Sequence, residues 1–351
     1  MQRFLLITII FILSGILIYL AFFYFSEDFS NKTAGIAEDG YSLLSQFRKT
    51  LLSQPSVIRI SDNGAQAYGI IPGNKGVAYF DMDGKFSISD FIGSEKQTVS
   101  ESVGGKVLQS LWFSNKMEVI LTLITQNGLG KLYYDYQNGK ATLLDNRIQN
   151  ISFSPDNSKL AYNFFDDNTY DGSISISRVD GSSFVKIFKT RLSDIKIQWP
   201  QENLISFHKA PSEDEPIDLF TIDNEGENFT KLLENKKGLK VVWSPDGKNL
   251  IYSVNNGRET QLNYMFIESR KEKELGLNTS ADQCVWGKDN SNIICYLNRT
   301  FYLLNVLDNS KEELYQFRAG LQIKEMKLSP LENYLLFINQ EDGQLYSLVL
   351  K

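Results

Sequence analysis

The sequence predicts an all-β fold, a β-propeller of seven four-stranded blades, preceded by an N-terminal transmembrane helix. Three observations carry that expectation. Aromatic residues make up 13% of the 351 positions and, with abundant Ile and Val, favour strands. A phrase built on an aromatic residue and Ser-Pro-Asp-Gly, flanked by alternating apolar positions, recurs from about residue 56 to the end. The first 25 residues contain one long apolar run without charge.

Composition narrows the function before any motif does. Hydrophobic residues are 42% and charged residues 22%, as in an ordinary globular protein, so extended disorder is not expected. Against 36 basic residues stand 42 acidic ones, a net charge of −6, and no basic run offers a footprint for phosphates. No nucleic-acid partner is expected. Two Cys make no disulfide framework, and a single His, His208, removes most metal and acid–base chemistry. No metal and no cofactor are implied.

Residues 1–25 read as a transmembrane signal anchor. Phe4 to Phe25 is uncharged and rich in Leu, Ile and Phe. At 1.5 Å per residue it spans about 33 Å, enough to cross the hydrocarbon core. A cleaved signal peptide would have a shorter apolar region ending in small residues. Here the run ends in Ala21-Phe22-Phe23-Tyr24-Phe25, whose bulk would obstruct a peptidase. Arg3 precedes the span, and Glu27 and Asp28 follow it. Positive-inside logic then leaves the N-terminus cytoplasmic and exports the rest, to the periplasm or cell surface. Residues 26–55 read as a stalk with a short amphipathic helix, Leu44, Phe47, Leu51 and Leu52 sharing one face before Pro55.

The repeat assigns residues 56–351 to the propeller. Its best copy runs Val241-Val242-Trp243-Ser244-Pro245-Asp246-Gly247 into Leu250-Ile251-Tyr252. A second runs Ile151-Ser152-Phe153-Ser154-Pro155-Asp156 into Leu160-Ala161-Tyr162, and a third Met326-Lys327-Leu328-Ser329-Pro330 into Tyr334 to Phe337. Weaker copies stand at Phe113, Trp199 and Trp286, and the faintest at Ile71. The spacings between these anchors are 42, 40, 46, 44, 43 and 42 residues, the range of four-stranded propeller blades. Each phrase is a hairpin: the aromatic ends a strand facing the next blade, and Pro, Asp and Gly make the turn. The first copy is weak enough to leave six or eight blades open.

The Trp-Ser-Pro-Asp-Gly-x-x-Leu phrase, followed by a strand ending in Asp-Gly, resembles the WD40-like repeat of TolB-type propellers. The resemblance covers about residues 56–351, is specific at Phe153, Trp243 and Leu328, and implies protein binding rather than a reaction. TolB itself has an α/β domain before its propeller, where this chain has a span and a stalk. Ring closure is a check on the count. After Leu328 the chain supplies two more strands, Tyr334–Asn339 and Gln344–Leu350, one short of a blade. Val57-Ile58-Arg59-Ile60 has a strand pattern and supplies the missing outer strand.

Cys284 and Cys295 face each other if Trp286 pairs with Ile293 across its hairpin, within reach of a structural disulfide. Free core thiols and a bridge both stay open. The expected function is a non-catalytic, membrane-anchored scaffold for a protein or cell-envelope polymer. Its binding face is assigned to the loops joining second and third strands: Asp166, Asp167 and Tyr170 in blade three, Glu213, Asp214 and Glu215 in blade four, and Arg258 in blade five. These carboxylates would form an acidic rim attracting a basic partner. The alternative is an extracellular glycan hydrolase or lyase acting through paired carboxylates near the axis. Beyond membrane lipid around Phe4–Phe25, the partner stays unknown.

Overall fold

A computed structural model describes residues 56–126, 128–212 and 215–350. The apolar run Phe4–Phe25, the stalk and the amphipathic pattern lie outside them. Among the described residues no helix is long and apolar enough to cross a membrane.

Among those residues, 28 strands form seven four-stranded antiparallel sheets, one for each predicted blade. The inner strands are Ala67–Ile71, Lys106–Trp112, Ile148–Phe153, Ile195–Gln201, Lys240–Trp243, Cys284–Trp286 and Ile323–Leu328. Six of the seven anchors read from the sequence fall at or beside the end of one of them, and Trp199 lies two residues inside its strand. The last sheet is completed by Val57–Arg59, which pairs with Leu345–Val349 in the register Val57 to Leu348 and Arg59 to Tyr346. The closing strand is where the sequence placed it.

Seven buried apolar clusters hold the ring, each built from two neighbouring blades. The phrase explains why. Trp243 packs into the cluster between blades four and five, and its indole N–H donates to Ser206 Oγ at 2.8 Å on blade four. Trp286 packs between blades five and six, donating to the Val242 carbonyl at 3.1 Å. Each large ring thus buries area against the preceding blade while its polar edge is satisfied there.

In blades five and three the turn after the aromatic is built alike. Ser244 Oγ donates to Asp246 Oδ1 at 2.6 Å and accepts from the Asn249 amide at 3.0 Å. Ser154 makes the same two bonds, to Asp156 at 2.6 Å and from Lys159 at 2.9 Å. The hydroxyls of Ser154 and Ser158 and the Ser158 amide hold the Asp156 carboxyl down to about 2. Because strands alternate in direction, these turns share one face of the ring with the third-to-fourth loops. The second-to-third loops and the blade-to-blade connections share the other, called here the loop face.

Candidate functional site

The loop face has two features, a cleft at the axis and a set of projecting hairpins. Lys196 and Gln198 stand two residues apart on the inner strand of blade four, hence on the same side of it. His208 on the second strand pairs directly with Lys196. Together with Gln109, Asn150, Pro211, Lys240 and Asp282 they line a cleft of about 420 Å³. Asn150 is the extra residue of a bulge between Gln149 and Ile151, with φ of 22°, and Leu108 occupies the like position between Val107 and Gln109. Such bulges re-aim side chains.

Electrostatics distinguish the two lysines. Lys240 is closed onto Asp282 at 2.6 Å. Lys196 lies 3.2 Å from Asn150 Oδ1 and a looser 3.9 Å from Asp194. His208 is 6% exposed and its Nδ1 stands 2.7 Å from the Lys209 carbonyl. Burial pushes its pKa down; the Lys209 carbonyl works against this and Lys196 adds to it, so the ring is neutral near pH 7. A carbonyl can only accept, so Nδ1 carries the proton and Nε2 keeps its lone pair.

The residues assigned from sequence fall as follows. Asp166, Asp167, Tyr170, Glu215 and Arg258 sit on second-to-third loops or their strand ends, which topology brings to the loop face. Glu213 and Asp214 lie outside the described residues. Asp166 accepts from Arg147 at 2.9 Å, and Arg147 also grips Asp145 at 2.7 Å. That guanidinium, helped by the Asn168 amide, holds the Asp166 carboxyl below its ordinary range. Glu215 pairs with Lys209 at 2.6 Å, and the ammonium lowers its pKa likewise. Two carboxylates of the acidic rim therefore carry their own cations, and Asp167 is exposed. Cys284 and Cys295 pair directly, with Trp286 opposite Ile293, and form a disulfide with Cα atoms 4.1 Å apart.

Sequence reasoning missed the axial residues. The signal was present in Ile195-Lys196-Ile197-Gln198-Trp199, where polar positions interrupt buried ones, but it does not say which polar side chains converge. Also missed were the apolar tips. The second and third strands of blades two and three are eight residues long, against five to seven elsewhere. In blade two, Ile124 and Leu129 pair directly across the tip.

No protein-family model matches the chain, and no curated protein matches it in sequence. Solved structures match its fold. An oligogalacturonate lyase in complex with manganese aligns with a TM-score of 0.66 at 13% identity, covering 85% of this chain and 95% of that one. The oligogalacturonate lyase from Vibrio parahaemolyticus aligns at 0.62 and 13% identity, over 84% and 93% of the two chains. TolB from Acinetobacter baumannii gives 0.47 at 12% identity, over 85% and 63%. At such identities the likeness establishes a propeller fold and no activity. Among the described residues no group of three or more His, Cys, Asp or Glu could hold a metal ion.

Proposed function

We infer that this chain is a non-catalytic scaffold that binds a partner protein, or an envelope polymer, on its loop face. In this reading Phe4–Phe25 anchors it, with the N-terminus cytoplasmic and the propeller on the outer side. The apolar hairpin tips carry the inference. Ile124 and Leu129 are 47% and 51% exposed, Tyr170 at the blade-three tip is 71% exposed, and Leu192 on the next connection is 46% exposed. A Cβ added at Gly128 or Gly130 would meet nothing within 4 Å, so the blade-two tip stands in open space. Apolar side chains offered to water on projecting strands are suited to burial by a partner, at ~1.5–3 kcal/mol for each one fully covered. The glycan-enzyme alternative asks for free paired carboxylates at the axis, whereas the carboxylate lining the cleft, Asp282, is closed onto Lys240.

The test is crosslinking at the surface of intact cells, followed by recovery of the full chain. Protease added outside spheroplasts should digest the propeller and leave a small membrane fragment; protection of the propeller would reverse the orientation. Replacing Ile124 and Leu129 together by Ser should cut partner recovery about tenfold or more, equivalent to at least ~1.4 kcal/mol. Leu331→Ser, on an exposed turn of the opposite face, should leave recovery unchanged. Equal recovery by wild type and the hairpin variant would remove the loop face from consideration.

A further inference from the structure

The cleft lining has a charge and a hydrogen-bonding pattern of its own. Two lysines, Lys196 and Lys240, and one aspartate, Asp282, line it, and Asp194 stands at its edge, 3.9 Å from Lys196. Lys240 is closed onto Asp282 at 2.6 Å, whereas Lys196 holds Asp194 only at 3.9 Å and donates to Asn150 Oδ1 at 3.2 Å, so it is the more weakly held cation of the two. His208 stands beside it in register and offers an acceptor, and Gln198 on the same strand as Lys196 carries a second that is buried. His208 keeps its Nε2 lone pair because Nδ1 is committed to the Lys209 carbonyl. Gln198 donates through Nε2 to the Val241 carbonyl at 3.1 Å, which fixes its amide orientation, and its Oε1 is a buried acceptor without a partner. An unmet acceptor of this kind costs free energy until a donor reaches it.

A matching ligand carries one negative charge with a hydrogen-bond donor beside it. The end of a polypeptide has this chemistry, a carboxylate followed by its last backbone N–H. The projecting tips at Ile124, Leu129 and Tyr170 lie on the same face and can take apolar side chains further up such a segment. A uronate sugar would offer a carboxylate and hydroxyls, but the lining holds no Trp, Tyr or Phe on which a sugar ring could stack. We propose that the axial cleft captures the C-terminal carboxylate of the partner protein, Lys196 pairing with the carboxylate and His208 accepting the terminal N–H. This rests on the protein-binding reading of the loop face.

Affinity selection with the purified full chain in detergent tests it, read by mass spectrometry. The probes are a pool of random octapeptides with free C-terminal carboxylates, the same pool amidated, and a hexuronate oligomer. The free-acid pool should be retained about tenfold over the amidated pool. Lys196→Met should abolish that preference without lowering the melting temperature, because Lys196 is half exposed, and Lys196→Arg should keep it. Equal retention of both pools, retention of neither, or displacement of peptides by the hexuronate would each overturn the proposal. Loss of partner recovery in the hairpin variant reports separately on the loop face, so either idea can fail alone.

Discussion

Gly247 shows how much of the blade repeat is decided by single residues. Its φ is +67°, a region that residues with a Cβ rarely adopt, and the turn is closed by its amide donating to the Ser244 carbonyl at 2.9 Å. A Cβ there would stand 2.6 Å from the Pro200 carbonyl oxygen and 2.5 Å from Gln201 Cγ, both on the preceding blade. The turn is therefore also a contact between blades. Gly247→Ala should cost about 2 kcal/mol or more, combining φ strain with displaced backbone. In blade three the same position is Asn157, at φ 59°, with its side chain donating to Ser114 Oγ at 2.8 Å. Asn157→Gly relieves the strain and loses that bond, so its cost should stay under about 1 kcal/mol. Chemical denaturation of both variants checks the pair: comparable losses would mean the φ argument is wrong.

At the scale of the element, blade six is bound by a covalent link as well as hydrogen bonds. Cys284 and Cys295 join its first two strands inside the cluster shared with blade five. A bridge over a loop this short contributes about 3 kcal/mol by restricting the unfolded chain. An exported propeller would meet the oxidising conditions that keep it. Denatured, unreduced protein should therefore resist maleimide labelling, and the double Cys→Ala variant should be about 2–4 kcal/mol less stable. Labelling of both thiols before reduction would refute the bridge. The cross-strand register was legible in the sequence because it follows from one hairpin with its turn residues in view. So were the inner-strand ends of six blades, where Ser, Pro, Asp or Gly within a few residues set the turn; in blade four the strand runs two residues past Trp199 to Gln201. The site was not legible in the same way. Arg147 neutralises Asp166 from the connection between blades, and the Lys196–His208 pair of blade four meets Lys240 and Asp282 only through packing around the axis.

For the whole molecule, the decisive feature is a seam between the two ends of the propeller. Blade seven takes its outer strand, Val57–Arg59, from the beginning of the domain. The chain then turns inward. Ile60 is fully buried in the cluster joining blades seven and one, and its amide donates to the Leu345 carbonyl at 2.8 Å. Ser61 Oγ accepts from the Leu345 amide at 2.8 Å and donates to Gln344 at 2.8 Å. Across the seam, Tyr68 of blade one donates its hydroxyl to the Leu336 carbonyl at 2.9 Å. A chain beginning at residue 41 keeps all of this and should fold as the full propeller. One beginning at residue 61 loses the outer strand, exposes the edge of Leu345–Val349 and leaves a cavity where Ile60 was. Emptying a buried Ile site costs ~2–5 kcal/mol by itself, a large part of a typical domain stability of about 5–15 kcal/mol. Ile60→Ala in the longer chain separates the two effects, since it removes the plug and keeps the strand. The expected order of melting temperatures is the chain from 41 highest, Ile60→Ala lower, and the chain from 61 lowest and prone to associate through its open edge. Indistinguishable melting of the two truncations would show that the ring does not depend on its N-terminal strand.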